Sequence, residues 1–274
     1  MMGEAVTTAS MTLPRELRIA VEGPIGPQRL HEDTVVIDNN GWYRTLTPSC
    51  AWPSANEVLF SNLDSDNPDK EIDQIISEYY RHALPVTWCV YPWTQPCDLG
   101  KRLLSRGATK SPVKAMLFSS SLKLDVVEGV QVDRVDPDSD GSFGAYMKIL
   151  NAGYELLPAE DAFRRHRYRE LIRGANPSMI LFLGRYKGQV AGCAGMVIKE
   201  DSAHITTSSV LREFQARGVF LSLHATIVRT MRELGIDLAS GHANINSAPW
   251  VERFGGQVVF SYDIYQLEHP TMRD

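Results

Sequence analysis

The sequence predicts a mixed α/β fold in which β-strands and α-helices alternate along most of the chain. Apolar residues recur at helical spacing between Ile72 and Tyr80, whereas Val86–Tyr91 is a short, continuous apolar run typical of a buried strand. Glycines follow several of the helical patterns, as expected at helix ends. With 274 residues, 43% of them hydrophobic and 22% charged, the chain is long enough for two medium domains or one large one.

The first half of the chain predicts three strands and two helices after an irregular start. Residues 1–40 carry scattered charges, prolines and glycines, which favours an irregular lead-in. Pro85 ends the first helical pattern and Gly107 closes the second. The predicted elements are strand Glu57–Leu63, helix Ile72–Tyr80, strand Val86–Tyr91, helix Pro96–Arg106 and strand Lys114–Leu122.

The second half predicts a longer series that includes a hairpin with a Lys187-Gly188 turn. Gly235 ends the long amphipathic helix, and Gly255 and Gly256 follow the last helix. The predicted strands are Val130–Val135, Met179–Tyr186, Gln189–Ile198, Ala203–Val210, Asp237–Ala243 and Val258–Leu267. The predicted helices are Tyr146–Leu157, Asp161–Ile172, Val219–Leu234 and Ala248–Phe254.

Two stretches of the chain repeat one order of elements. Trp88–Phe118 and Leu238–Tyr265 each run from a buried strand through a proline-containing polar loop and a short helix to a glycine and a second strand. This repetition suggests two related halves, and we divide the chain into domains at residues 1–125 and 126–274.

Composition excludes several broad classes of function. The net charge of −5 gives no global reason to expect a nucleic-acid or membrane partner. The four cysteines lack C-x-x-C spacing and a Cys/His cluster, so we expect reduced thiols and no metal. Because the N-terminus has no apolar core of signal-peptide length and no run approaches about 18 apolar residues, we expect a cytoplasmic protein.

The segment Arg212–Leu221 joins a predicted strand to a predicted helix and combines a glycine with polar and basic residues. The first N–H groups of a helix have no intrahelical acceptor, and the helix dipole places partial positive charge beside them. Such a turn can bind a phosphate or pyrophosphate. Gly218 lets the backbone approach the anion closely, and Gln215 and Arg217 can close over it. The alternative is that Gly218 serves only the turn.

The order of elements around this loop resembles the GNAT acyltransferases. Their acyl-CoA loop, Gln/Arg-x-x-Gly-x-Gly/Ala, is matched by Gln215-Ala-Arg-Gly218-Val, with Phe220 in the last small position. The segment Asn244–Gly255 resembles the family's later Asn-x-x-Ala/Ser to Gly-Phe segment. The resemblance covers about residues 128–267, and the N-terminal half resembles a degenerate second copy without the loop.

The resemblance implies a central, largely antiparallel twisted sheet flanked by helices, in two GNAT-like domains. It also implies transfer of an acyl group, most simply acetyl, from acyl-CoA to an amine of a small molecule or peptide, without a metal. The pantetheine arm would fit where the strands before and after the loop splay apart, and the amine would enter from the opposite face. The implied residues for acetyl-CoA or another acyl-CoA are Ser209, Val210, Leu211, Gln215, Ala216, Arg217, Gly218, Val219, Phe220, Asn244 and Ser247.

A catalytic base is expected at His204, eleven positions before Gln215, where several members of the family place a glutamate or histidine. A histidine can accept a proton from an ammonium directly or through water. Strand alternation would place Thr206, Ser208 and Val210 beside it as a polar wall. Two alternatives stay open: His204 could face solvent at a strand end, or His242 could be the base.

The general acid departs from the family's pattern. Val251 stands where the family frequently has a tyrosine, and neither it nor Trp250 can donate a proton to a leaving thiolate. Ser247, Asn244, Tyr262 or solvent could replace it. Two other hypotheses therefore remain: a donor carried on tRNA or a carrier protein, or a catalytically inactive CoA-binding module.

Two further clusters have both a structural and a functional interpretation. Arg165, Arg169 and Arg173 share a helix face with His166, which is either a solvated surface or a site for an anionic partner such as a carrier protein or tRNA. Four aromatic residues belong either to the core or to an acceptor pocket: Phe143, Tyr146, Tyr154 and Trp250.

Overall fold

A single sheet of eleven strands crosses the part of the chain that the computed structural model describes, which comprises residues 13–39, 41–63, 66–154 and 158–270. In chain order the strands are β1 (Val35–Asn39), β2 (Trp42–Leu46), β3 (Glu57–Phe60), β4 (Val86–Val90), β5 (Thr109–Ser119), β6 (Val130–Arg134), β7 (Met179–Tyr186), β8 (Gln189–Ile198), β9 (Ala203–Val210), β10 (Leu238–Asn244) and β11 (Gln257–Leu267).

Helices cover both faces of this sheet. They are α1 (Arg15–Glu22), α2 (Pro68–Tyr80), α3 (Leu99–Ser105), α4 (Asp140–Tyr154), α5 (Pro158–Leu171), α6 (Val219–Glu233) and α7 (Ala248–Arg253). We call the side that carries α2, α3, α6 and α7 the first face, and the side that carries α1, α4 and α5 the second face.

The alternation of side chains along the strands separates the two faces. On β5, Met116 and Phe118 pack in the core under α6, whereas Ala115 and Leu117 pack in the core under α1. Because successive strand residues point to opposite sides, one apolar run such as β5 can be buried on both. The sheet is therefore a central layer between two layers of helices.

The strand order interleaves the two halves of the chain. It runs β1-β2-β3-β4-β11-β5-β10-β9-β8-β7-β6, so β11 lies between β4 and β5, and β5 lies between β11 and β10. The pairs β3–β4 and β9–β10 are parallel, and the other neighbouring pairs are antiparallel. The expected central, largely antiparallel sheet flanked by helices is confirmed, while the domain boundary at residue 125 stays a prediction.

The repeated order of elements is also present in the structure. β4, α3 and β5 in the first half follow the same sequence of strand, short helix and strand as β10, α7 and β11 in the second. The last strands of the two series, β5 and β11, pair with each other in the middle of the sheet. The predicted hairpin and the strand Ala203–Val210 match β7, β8 and β9 to the residue.

The expectation of an irregular lead-in is wrong for the described residues before position 40. Helix α1 forms there because Ile19, Ala20 and Val21 give the eight-residue segment one apolar side, which is buried against the sheet. Strand β1 forms at the sheet edge, where Val35 and Val36 remain more than 40% exposed. Strand β2 was likewise not predicted. The expected helix Tyr146–Leu157 begins earlier, at Asp140, and its last three residues lie outside the described part.

Candidate active site

A gap opens in the sheet between β9 and β10. The two strands pair in parallel over three residues only, from Ala203 with Ala239 to Ile205 with Gly241. Beyond this point β9 pairs only with β8, and β10 only with β5. The family resemblance implied a splay at this place in the sheet, and the register shows one.

The bend that separates β9 from β10 occurs at Thr207. This residue has φ of +53°, in the left-handed region that β-branched residues rarely adopt, and the pairing with β8 shifts by one residue there. As a consequence Thr207 contacts Tyr146 of α4, and the Ser209 hydroxyl lies against Gly153 of α4. The expected polar wall on the side of His204 is therefore wrong for Ser208 and Val210, because the bulge exchanges the two sides of the strand after Thr206, which stays on that side.

A cavity of about 530 Å³ occupies the gap and reaches both faces of the sheet. On the first face it is lined by Phe220, Ser247 and Val251, beside α6 and α7. On the second face its lining includes Arg29, Glu57, Trp52, Tyr154 and Arg164. A more voluminous groove of about 790 Å³ lies along α2, but no residue that the sequence singled out lines it. The cavity in the gap is the candidate site.

The loop before α6 has the backbone that a close approach requires. Ala216 has φ of +58°, and Gly218, the N-cap of α6, has φ of +79°. A Cβ at Gly218 would lie 2.7 Å from the Val127 side chain, so glycine is required there for space as well as for conformation. The first helical hydrogen bond runs from the Ser222 N–H to the Gly218 carbonyl, which leaves the three preceding N–H groups without a helical acceptor.

The side chains of this loop face solvent and the cavity. Gln215, Ala216 and Arg217 are exposed. The Phe220 ring is directed toward His224, at 4.3 Å between ring centroids. Ser209, Val210 and Leu211 lie at the end of β9. Of the residues expected to bind acyl-CoA, Phe220, Asn244 and Ser247 line the cavity, whereas Arg217 lines a separate groove with Tyr186 and Phe214.

Asn244 and Ser247 also have a structural task. The Asn244 Oδ1 atom accepts hydrogen bonds from the N–H groups of Asn246 and Ser247, at 3.0 and 3.1 Å. The Ser247 hydroxyl donates to the same oxygen at 3.1 Å. These bonds fix the turn that leads into α7, and both side chains border the cavity. Val251 is buried, and Trp250 remains half exposed.

His204 lies at the narrow end of the gap with 4% of its surface exposed. Its Nδ1 atom is 3.0 Å from the Ser240 hydroxyl, which in turn donates to the Ala203 carbonyl at 3.4 Å. This arrangement assigns the ring proton to Nδ1 and leaves Nε2 as a proton acceptor. Burial, followed by the neighbouring His242, Lys199 and Arg29, lowers the pKa of His204 well below its usual value, so the ring is neutral.

His242 is held by both of its ring nitrogens. Nε2 donates to the Ala20 carbonyl at 2.7 Å, and Nδ1 accepts from the Tyr262 hydroxyl at 2.8 Å. Burial lowers the pKa of His242 to about 4. Because neither nitrogen is available to a substrate, this geometry favours His204 over His242 as a base. The Tyr262 hydroxyl, which was considered as a general acid, already donates its proton to His242.

The arginine-rich face of α5 is matched by carboxylates. Arg165 pairs with Asp161 and Arg173 with Asp138, at 2.7 and 3.1 Å between nitrogen and oxygen, and Arg169 pairs with Asp140. The exposed His166 lies beside Glu170 on the same helix. These contacts favour the interpretation as a solvated surface and give no support to an anionic partner there.

Among the four aromatic residues considered for the pocket, Phe143 and Tyr146 lie in the core under α4. Tyr154 borders the cavity, where its hydroxyl is 3.4 Å from the Ser208 carbonyl.

Sequence reasoning missed the polar residues on the second face. Arg29, Trp52 and Glu57 come from segments that were expected to be irregular or simply apolar, and Arg164 was not separated from its arginine-rich neighbours. One signal was present for Glu57, because it is a lone carboxylate at the start of an apolar strand. Lone charges of this kind are seldom buried without a partner.

No group of His, Cys, Asp and Glu side chains suited to a metal occurs among the described residues, and none of the described helices could cross a bilayer.

Comparison with solved structures gives relatives of the same fold over most of the chain. A functionally unknown conserved protein from Staphylococcus epidermidis has a TM-score of 0.71 at 13% identity, with 89% of this chain and 98% of that one covered. A GCN5-related N-acetyltransferase from Kribbella flavida has a TM-score of 0.64 at 14% identity, with 96% of each chain covered. A tandem GNAT protein from the clavulanic acid biosynthesis pathway has a TM-score of 0.56 at 12% identity, with 92% of this chain and 88% of that one covered.

Comparison of sequences gives a narrower match. No curated protein matches the chain. Residues 145–255 match the model of the acetyltransferase (GNAT) family, a range that contains the hairpin, the loop before α6 and the gap between β9 and β10. Residues 145–255 therefore correspond to a domain of the acetyltransferase (GNAT) family, within a fold that the chain shares with GNAT proteins over most of its length.

Proposed function

We propose that the protein is an N-acyltransferase that transfers an acyl group, most simply acetyl, from acyl-CoA to an amine of a small molecule or peptide. The observation that carries this proposal is the cavity that passes through the sheet between β9 and β10. It joins a helix N-terminus on the first face to a polar pocket on the second. A donor and an acceptor can therefore approach one reaction point from opposite sides.

The first face supplies the groups that suit acyl-CoA. The N–H groups of Val219, Phe220 and Leu221 lack helical acceptors and would hold the pyrophosphate, with Gln215 and Arg217 beside it. The edge of β9 at Ser209–Leu211 faces the gap without a partner strand on that side and would bind the pantetheine arm. Asn244 and Ser247 would border the same arm from β10 and α7.

In the proposed reaction the uncharged amine attacks the carbonyl carbon of the thioester. The new C–N bond forms, the C–S bond breaks, and CoA leaves as a thiolate that takes a proton from solvent or a nearby hydroxyl. The proton lost by nitrogen passes to Nε2 of His204, directly or through water. Because His204 is neutral, its Nε2 lone pair is available to accept that proton.

Thermal denaturation with acetyl-CoA, CoA and no ligand tests the donor. A ligand at about 100 times its dissociation constant adds roughly 2.7 kcal/mol of stability, enough to raise the midpoint by several degrees in a chain of this size. We expect Arg217→Glu to reduce the shift, whereas Arg229→Glu, an equal change of charge at an exposed residue far along α6, leaves it intact. Equal shifts in all three proteins, or no shift with any acyl-CoA, would contradict the proposed donor site.

Turnover separates this proposal from its alternatives. An inactive CoA-binding module would show the thermal shift and no acyl transfer with any amine. A donor carried on tRNA or a carrier protein would give transfer without a shift by acyl-CoA. The arginines that motivated such a donor are paired with aspartates, so we give precedence to acyl-CoA.

A further inference from the structure

The second-face end of the cavity is built jointly by the two halves of the chain. Gln28, Arg29 and Glu57 come from the first half, and Arg164 comes from the second. Helix α5 is fixed to the first half by the stacking of Phe163 on His31, with ring centroids 3.4 Å apart. A pocket assembled in this way is specific to the whole chain and not to the family domain alone.

Arg164 is the most deeply buried cation of this pocket, with 4% of its surface exposed. Its guanidinium lies 3.9 Å above the Trp52 ring, Nη1 donates to the Tyr168 hydroxyl at 2.9 Å, and Nη2 lies 3.2 Å from Glu160. The buried Nε has no acceptor among the described residues. A guanidinium that is held flat and keeps an unused donor is suited to a carboxylate.

Two more buried polar atoms beside the same cavity have no partner in the described part of the chain. They are the amide oxygen of Gln28 and the hydroxyl of Ser54. Buried polar groups are hydrogen-bonded in the great majority of cases, and orphaned ones need an explanation. Three such atoms around one cavity indicate that its natural occupant is polar and makes these bonds.

The charged side chains at this end of the cavity form two ion pairs. Arg29 pairs with Glu57 and Arg164 with Glu160, and His204 and His242 are neutral. The pocket therefore carries no net charge, like an acceptor with one ammonium and one carboxylate group. Glu57 holds Arg29 through one of its oxygens, at 2.6 Å. Val58, the next residue, packs in the core of the first face, so Glu57 points to the second face, as His204 does from β9.

We propose that the acceptor is a small amine that also carries a carboxylate, with its carboxylate bound by Arg164 and its amino group directed by Glu57 toward His204. This proposal rests on the proposed acyl transfer and names its substrate class. Arg164 is then a specificity-determining residue, and the first half of the chain serves as half of the acceptor site.

The test compares free amino acids with the corresponding amino-acid amides, which have nearly the same size but no carboxylate. With the intact chain and acetyl-CoA, we expect kcat/KM for at least one amino acid to exceed that for its amide at least tenfold. In Arg164→Met, which keeps an apolar side chain over Trp52, this preference should fall at least tenfold while the thermal shift by acetyl-CoA stays unchanged. Arg165→Met, the adjacent residue outside the cavity, should keep the preference.

Direct binding supplies a second readout that does not depend on turnover. The same acids and amides are added to the intact chain without acetyl-CoA, and only the acids should raise the thermal midpoint. Equal rates and equal shifts for acid and amide overturn the carboxylate proposal, as does the absence of any effect of the acids. Because the acetyl-CoA shift is measured separately, its loss contradicts the acyl-CoA site and not the acceptor class.

Discussion

The hydroxyl oxygens of Tyr146 and Thr207 lie 2.7 Å apart, in the buried contact between α4 and the bulge of β9. This bond holds the residue at which β9 turns away from β10, and Thr207 adopts a left-handed backbone there. The gap that forms the candidate site thus depends on a contact some distance from any proposed reacting group.

We expect Tyr146→Phe to lower the free energy of unfolding by about 1 to 2 kcal/mol, because it leaves the buried Thr207 hydroxyl without its partner. Urea unfolding measures this. In a double-mutant cycle with Thr207→Val, the combined loss should be smaller than the sum of the two single losses. Additive losses would mean that the hydroxyl pair does not stabilise the bulge.

Replacement of Gly218 by alanine should lower the free energy of unfolding by about 1 to 3 kcal/mol, since φ of +79° strains any side chain and Val127 occupies the space. Gly144 is the matched control. It lies within α4, and a methyl group added there would meet nothing within 4 Å, so Gly144→Ala should be neutral or stabilising by up to about 1 kcal/mol. Equal effects at the two glycines in urea unfolding would contradict the role of the loop backbone.

Stability should fall as the pH is lowered from about 6.5, the usual histidine value. The unfolded chain then binds a proton at His204, whereas the folded chain does not, because burial holds the folded pKa well below that value. The loss approaches about 1.4 kcal/mol per pH unit for each such histidine. His242, with a folded pKa of about 4, should add to the slope down to that pH.

Urea unfolding between about pH 7.5 and 5 measures this slope. His204→Gln should make it shallower, while His166→Gln should leave it unchanged, because the His166 side chain is 76% exposed. If the pH dependence of the unfolding free energy is the same in the intact chain, His204→Gln and His166→Gln, then the folded state does not resist protonation of His204.

For catalysis, we expect His204→Gln to lower kcat about 100-fold or more, in the range found for loss of a general base. The thermal shift by acetyl-CoA should persist, because His204 lies away from the loop before α6. Since the pKa of His204 lies well below its usual value, the pH profile of the intact enzyme should show no titration of this histidine near about 6.5. Unchanged turnover in the variant would remove His204 from the mechanism.

The parts of the structure that were predicted from sequence are those whose signal is local. The turn between β7 and β8, the strand β9 and the helix after Gly218 have strong apolar periods and clear end signals, so their bounds matched closely. The short helix α1 was missed because three buried residues among charged neighbours give a weak period, and its stability comes from packing against the sheet.

Only part of the candidate site could be predicted from the sequence. The loop around Gly218 has a local pattern, and the sequence position of His204 follows from it. The bulge at Thr207 could not be predicted, because a threonine is among the residues least suited to a positive φ. The meeting of Glu57 with Arg164 depends on how two distant segments of the chain pack, and no local pattern records that.

The position of β5 between β10 and β11 has a consequence for how the chain can fold. A chain cut near residue 125 would leave its second part with two strand edges exposed in the middle of its own sheet, where β5 belongs. Unpaired edges of this length favour aggregation. Neither part can complete its sheet before the other is made, so the central pairing must await synthesis of nearly the entire chain, and topologies with such distant contacts fold slowly.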